Sequence, residues 1–379
     1  MKKDLDKILR LAQTCFSSSW GGLEMSTLKW TKYFQNMGMY SPCFCKKDSP
    51  LHQNLVQQGL HHFAYSVRTK YWSPGLKSKI ARTCRHEQIN IIISHRSADL
   101  WHIAPIFWGQ PESRLIFISR ILSSTVQKTD WFHRRIYGKL DAAVVLSQLG
   151  KEYFLQMTRM DPKKVHVLPN GIVMEKYIEA RKNRLFFRAK LGLSEGEIAI
   201  VLVGRIDPLK GHLEFIEALS NVKKKYPKVR AFIVGERTIG EWDDYYARLE
   251  KTIQQHGLSD IVRFLGYRND VEIFYASADI LIMPSYAEAF GNVLLEAMAS
   301  QAPVIATNTG APPEILGNGK YGILIAPQSA AAIENALNDL ISDGAKRAKF
   351  GKLGFHRVKD FYQLKTVMDQ VIDLCSGKK

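Results

Sequence analysis

The sequence predicts an α/β protein built from two doubly wound, Rossmann-like domains. Three observations carry that prediction. Short, nearly all-apolar runs recur along the chain, each followed by a segment of helical periodicity, the pattern of parallel strands buried on both faces. The rhythm pauses at VHVLPNGIVMEKY, residues 165–177, and then restarts. At 379 residues the chain also exceeds what one core holds, since single cores stop growing at roughly 250 residues. The expected domains are therefore 1–176 and 177–379.

The first unit opens as strand, loop and helix: ILRLAQTC, then FSSSWGG, then LEMSTLKWTKYFQNMG with its closing glycine. Further strands are expected at INIIIS (89–94), SRLIFIS (113–119) and DAAVVLS (141–147). After the Pro-Asn-Gly pause, RKNRLFFRAKLGLSEGE bridges into IAIVLVG (198–204). Strands then follow at VRAFIVG (229–235), DIVRFLG (260–266), DILIMPS (279–285) and PVIAT (303–307). The last pattern, RVKDFYQLKTVMDQVIDLC, is helical, and its final helix, about 361–375, is the element placed to pack back on the first domain.

Apolar residues make up 46% of the chain and charged ones 23%, which excludes disorder as the default. No run approaches the ~18 apolar residues needed to span a bilayer. The start, MKKDLDKILRLAQTC, carries two acids and lacks the apolar core of a secretory leader. A cytoplasmic chain is expected. Five cysteines, Cys15, Cys43, Cys45, Cys84 and Cys375, are odd in number and scattered, which suits reduced thiols. Cys43 and Cys45 have no second pair or histidine cluster to complete a zinc site, so no metal is expected.

The net charge of +17 favours a polyanionic partner: nucleic acid, anionic lipid or a phosphorylated substrate. Arg68, Lys70, Lys77, Lys79, Arg82 and Arg85 are interleaved with Tyr71, Trp72 and Leu76 and no acid. A second stretch, KTDWFHRRIYGK from Lys128 to Lys139, mixes Trp131, Phe132 and Tyr137 with Lys128, His133, Arg134 and Arg135. Cations among aromatics suit an anionic membrane surface. The same residues would also serve as a solvated basic face.

Ligands of open α/β sheets sit beyond the carboxyl ends of the strands, so residues just past each apolar run are the candidates. After IAIVLVG stand Arg205 and Lys210, a planar fork and a point charge able to clamp a diphosphate. After DIVRFLG, the turn Tyr267-Arg268-Asn269-Asp270 offers an aromatic and backbone groups to a nucleobase, with Asp270 as cap of the next helix. After DILIMPS comes EAFGNVLLEAMA. There Asn292 is expected to cap a helix starting at Val293, whose first N–H groups would bind an anion, and Gly291 lets phosphate come close to the backbone. Glu296 could accept both hydroxyls of a ribose and Glu288 those of a sugar, because carboxylates offer only acceptors. The alternative is one amphipathic helix from Ala287 to Ser300 with Glu288, Asn292 and Glu296 along its polar face. Gly21 and Gly22, after the first strand, form a loop that could cradle phosphate without matching a dinucleotide fingerprint.

Together these residues resemble the retaining GT-B glycosyltransferases of family 4, whose members include lipopolysaccharide and capsule sugar transferases. VLPNGIVMEKY, LVGRIDPLKGH, FLGYRNDV, ADILIMPSYAEAFGNVLLEAMASQAPVIAT and GAPPEIL stand in that family's order, and the two acids match its E-x7-E pair. The resemblance implies two domains facing a central cleft that closes on the substrates. It assigns Arg205 and Lys210 to the donor diphosphate and Glu296 to the ribose. Glu288, with the backbone at Ala289, Phe290 and Gly291, is assigned to the transferred sugar; Asn292, Val293, Tyr267 and Arg268 are further residues expected to bind the donor. Gly21 and Gly22 would face the diphosphate from the N-terminal domain, and Glu314 of GAPPEIL would be structural. The chain departs from the pattern at Ile121, where relatives often carry a histidine; His95, in SHRSADLWH with Asp99 nearby, is the alternative polar site.

The function so implied is metal-independent, retaining transfer of a sugar from a nucleotide diphosphate sugar to a saccharide or lipid-linked acceptor in cell-surface glycan synthesis. No cofactor is expected, and the chain would sit peripherally on the inner face of the cytoplasmic membrane. A phosphorylase or a synthase with a sugar-phosphate acceptor is the alternative on the same fold. A nucleic-acid-binding module and a catalytically silent sugar-binding relative are the alternatives of other classes, and no nucleic acid is expected as partner.

Overall fold

The apolar runs become the strands of two wholly parallel sheets. The structure, a computed structural model, describes residues 9–67, 69, 73–108, 113–120, 127–237 and 240–377. Contacts divide the chain into a first unit, Met1–Leu168 with Asp369–Lys379, and a second, Pro169–Met368. The division falls at Leu168/Pro169 and not at 176/177. Its cause is the segment after Pro-Asn-Gly, where Ile172 N donates to Tyr362 O at 2.9 Å and Leu364 N to Ile172 O at 2.8 Å, both inside the second unit.

Among the described residues, the strands of the first unit are β1 (Leu11–Cys15), β2 (Cys43–Lys46), β3 (His62–Tyr65), β4 (Ile91–Ser94), β5 (Arg114–Ser119), β6 (Ala142–Val145) and β7 (Val165–Val167). They lie in the order β3-β2-β1-β4-β5-β6-β7, with Gln13 opposite Cys43 and Ile93 on its other side. The second unit holds β8 (Ile198–Val203), β9 (Val229–Val234), β10 (Val262–Phe264), β11 (Ile280–Met283), β12 (Val304–Thr307) and β13 (Ile323–Ile325) in the order β10-β9-β8-β11-β12-β13. Strands β4 and β8 are apolar along nearly their whole length because helices cover both faces of a parallel sheet. The helix His212–Lys225 shows the complementary pattern, burying Phe215, Ile216, Leu219 and Val222 against Ile200 and Leu202 of β8. Each such side chain contributes on the order of 2 kcal/mol relative to exposure.

Strand order reverses twice, at β1/β4 and at β8/β11. Diverging crossovers open a crevice at the carboxyl ends of such a pair, which is where ligands of this architecture bind. In the second unit that point falls between the loops following β8 and β11.

The five cysteines are buried and unpaired, and burial pushes the thiols of Cys15, Cys45, Cys84 and Cys375 up to about 12. Among the described residues no helix is long and apolar enough to cross a membrane.

Candidate active site

Two loops meet at the β8/β11 switch point. The first runs from Gly204 through a 3-10 turn, Pro208–Lys210, into the helix His212–Lys225. Asp207 shapes it by accepting Leu209 N at 2.9 Å. The second follows β11 and leads to the helix Asn292–Ala299. Tyr286 N donates to Leu209 O at 2.8 Å, and the phenol of Tyr286 bonds Glu214 in the first turn of the facing helix. Gly211 completes the seam: its φ is +70°, and a Cβ there would stand 2.2 Å from Pro284 O. Only glycine lets the two backbones come this close.

Lys210 and Glu288 are joined across this seam, Nζ to Oε2 at 2.8 Å, with side chains 27% and 18% exposed. Arg205 is different: its side chain is 70% exposed and stands 3.7 Å from Asp207 Oδ2, leaving most of the fork toward solvent. A third loop, after β12, approaches as well, since Ala311 N donates to Glu288 O at 3.4 Å.

Glu288 and Glu296 do not share a helix face. The helix begins at Asn292, and Gly291, with φ +93°, turns the chain sharply before it. That excludes a single helix from Ala287. It also corrects the expected cap: Asn292 is already helical, no side chain caps this end, and the Asn292 amide oxygen instead accepts Asn170 Nδ2 at 3.1 Å. Asn170 belongs to the Pro-Asn-Gly turn and is buried. Phe290 is buried too and meets Tyr362 edge-on, so only its backbone could face a ligand. Ala289 and Val293 are half-buried beside it.

Glu296, one turn into the helix, accepts Tyr275 Oη at 2.8 Å. Burial and the Glu296 carboxylate push the phenols of Tyr275 and Tyr177 up, so both remain donors at neutral pH. Neither tyrosine was visible as a site residue in the sequence, because Tyr177 comes from the helix Glu175–Lys182 and Tyr275 from Val271–Ser277. Tyr267 is 56% exposed in the turn after β10. Arg268 grips Asp270 with both ends of its fork, at 2.8 and 2.7 Å. Asp270, expected to cap the next helix, therefore makes no side-chain cap there.

In the first unit, Gly21 precedes the helix Gly22–Asn36, and space is open around Gly22. The loop before it is held by Asp99, whose Oδ2 accepts Phe16 N at 2.9 Å, while burial raises the Asp99 carboxyl to about 7. His95, the alternative polar site, lies deep in this unit. It is 1% exposed, its Nδ1 accepts Arg120 Nη1 at 2.7 Å, and its Nε2 donates to Gln13 Oε1 at 2.9 Å. Burial and the Arg120 charge hold its pKa well below the ordinary histidine value. Both ring nitrogens are engaged, so His95 orders Arg120 and Gln13. Ile121 lies outside the described residues, as do Arg68, Lys70, Tyr71 and Trp72.

Two doubly wound parallel sheets, with cations and carboxylates gathered at a switch point of the second, have the architecture of the GT-B class. Residues 183–357 match the family of glycosyl transferases group 1, and residues 20–176 match glycosyltransferase family 4. The chain belongs to this glycosyltransferase family. It is 32% identical to the D-inositol 3-phosphate glycosyltransferase of Corynebacterium kroppenstedtii over 81% of this chain and 67% of that one. The protein of the same name from Stackebrandtia nassauensis is 30% identical over 57% of this chain, and the match spans about half, 49%, of that protein's length. The fold is similar to that of Anabaena Alr3699/HepE in complex with UDP and glucose, with a TM-score of 0.81 and 23% identity over 97% of this chain and 99% of that one.

Proposed function

We propose that the chain moves a sugar from a nucleotide diphosphate sugar to a hydroxyl of a saccharide or lipid-linked acceptor, with retention at the anomeric carbon, in assembly of a cell-surface glycan. One observation carries the donor assignment. The Lys210–Glu288 pair at 2.8 Å and the Tyr275-held Glu296 stand at opposite ends of one glycine turn and helix start. That spacing suits a nucleotide sugar laid across the switch point, with ribose on Glu296, diphosphate on Lys210, Arg205 and the N–H groups at Asn292 and Val293, and sugar on Glu288. The uncapped start of Asn292–Ala299 supports the anion's place, because its N–H groups have no side-chain partner.

The leaving diphosphate is stabilised by fixed cations and backbone dipoles as charge develops on it. No metal is required in this scheme, since Arg205 and Lys210 supply the neutralising charge. Glu288 serves as an orienting acceptor, not as half of a carboxylate couple flanking one bond. Front-face attack by the acceptor hydroxyl accounts for retention without a protein nucleophile. A structure of the Anabaena protein of the same fold holds UDP-glucose, a donor of the class proposed.

A second acceptor, a phosphorylated polyol or sugar phosphate, is favoured by one specific fact: the relatives at 30–32% identity are named for D-inositol 3-phosphate. Purified protein incubated with UDP-glucose and other nucleotide sugars, and with inositol 3-phosphate or a lipid-linked saccharide, separates the two acceptors by product. Calorimetric titration with UDP tests the site itself. Donor binding undiminished in both Arg205→Ala and Glu296→Ala overturns the assignment.

A further inference from the structure

The Lys210–Glu288 pair is kept in register from outside the pair. Both partners lie on loops, and the point that fixes one loop against the other is Tyr286, two residues before Glu288. Its backbone N–H donates to Leu209 O at 2.8 Å, on the residue just before Lys210. Its phenol, at the far end of the side chain, donates to Glu214 in the first turn of the helix His212–Lys225. One residue thus grips the β8 loop on both sides of Lys210 in sequence, and the ion pair is the next rung along the same seam.

The anchors on either side are themselves fixed. Leu209 N and Lys210 N both donate to Asp207, to Oδ1 at 2.9 Å and to the backbone O at 3.1 Å, so the turn carrying Lys210 cannot slide beneath Tyr286. Leu213 N, beside Glu214, donates to Tyr245 Oη at 3.3 Å. On the β11 side, Thr307 Oγ1 donates to Ser285 O at 2.5 Å, next to Tyr286 in the chain.

Glu214 shows what this arrangement costs. Its Oε2 is shut off from solvent and has no hydrogen-bond partner among the described residues. A buried carboxylate oxygen without a donor is unfavourable, and an apolar side chain would fill the same place without that cost. What the acid supplies is an acceptor for the phenol of Tyr286 through its other oxygen.

We propose that Tyr286, anchored by Glu214, is a positioning residue: it sets Glu288 against Lys210 and so determines how strongly a donor diphosphate must compete for that lysine. The inference rests on the donor reading above. Without the phenol bond, the β11 loop near Glu288 keeps its backbone bond to Leu209 and loses the second anchor. Glu288 then samples other positions, and a pair made only part of the time opposes the diphosphate less.

Calorimetric titration with UDP tests this by a double-mutant cycle. In the wild type, Glu288→Gln should tighten UDP binding about fivefold by freeing Lys210. Tyr286→Phe keeps the ring and the backbone bond and deletes the phenol. It should by itself tighten UDP binding roughly threefold, and on that background Glu288→Gln should add less than ~2-fold, because groups within one network do not act additively. Glu214→Leu should reproduce Tyr286→Phe. Glu214→Gln, whose amide oxygen still accepts the phenol, should bind UDP as the wild type does. A tyrosine that only stabilises the fold would give the opposite sign, weaker UDP binding with the Glu288→Gln step intact, and that result overturns the proposal. A wild type with no step at all overturns it too. The donor reading fails separately: UDP binding undiminished in both Arg205→Ala and Glu296→Ala removes that reading and this inference with it, whereas weakened binding in those two beside an intact step in Tyr286→Phe removes only the role of Tyr286.

Discussion

Lys210 Nζ and Glu288 Oε2 stand 2.8 Å apart. The cation assigned to the diphosphate and the acid assigned to the sugar are thus partners before any donor arrives. A bound diphosphate must compete with Glu288 for Lys210, and this gives the two groups opposite signatures. Glu288→Gln should bind UDP roughly fivefold more tightly, because a partly buried ion pair of about 1 kcal/mol no longer holds Lys210, while transfer from UDP-sugar falls. Lys210→Ala should lower kcat/KM about 10²- to 10³-fold, the usual cost of removing one stabilising group from a developing anion. Calorimetry with UDP alone beside steady-state transfer reads both effects. Weaker UDP binding in Glu288→Gln would refute the competition.

Tyr275→Phe removes the phenol that holds Glu296 at 2.8 Å and leaves the ring's packing in place. The expected loss is about 1 kcal/mol of stability, together with a roughly fivefold rise in KM for the donor at nearly constant kcat. A purely structural tyrosine would show the first effect without the second.

Gly211 and Gly22 should part ways on substitution. At Gly211, φ is +70° and a Cβ meets Pro284 O at 2.2 Å, so Gly211→Ala is expected to cost about 3 kcal/mol or to push the β8 loop off the β11 loop and abolish UDP binding. At Gly22 a Cβ meets nothing within 4 Å, and Gly22→Ala should leave stability unchanged or slightly raised. Urea unfolding of both variants checks the contrast.

His212 gives a pH test of the same loop. It is fully buried, and burial holds its pKa down to about 4, against about 6.5 when unfolded. Below pH 6.5 the unfolded chain takes up a proton that the native imidazole refuses, so stability is full above that pH and declines as pH falls toward 4. Between pH 7 and pH 5 the decline is about 2 kcal/mol. In His212→Gln this part of the slope should vanish; parallel slopes for variant and wild type would show that the ring is not held neutral.

Much of the fold was legible because its signal is local. Runs such as Ile91–Ser94 and Ile198–Val203 are apolar at every or nearly every position, and that alone marks a strand covered on both faces. The strands β2 and β3 carry no such run. Cys43–Lys46 ends in lysine, and His62–Tyr65 lies at the sheet edge with half its residues only partly covered. Within the site, Lys210, Glu288 and Glu296 could be named because they follow strand ends. Their partners could not. Tyr275 is 21 residues from Glu296, and Asn170 is 122 from Asn292, so only the closed sheet brings them together. The two capping expectations failed for a related reason: Asp270 met a nearer cation in Arg268, and Gly291 took the turn that Asn292 was expected to make.

The last turns of the chain belong to the first unit. Arg114 Nη1, at the start of β5, donates to Cys375 O at 2.8 Å, and Cys375 is buried. Domains are usually completed in the order in which the ribosome releases them. Here the first unit holds all seven of its described strands early in synthesis, yet its closing helix residues, Asp369 onward, emerge only after the whole second unit has been made. A nascent chain halted anywhere before them lacks the Arg114–Cys375 bond and the buried turn that makes it.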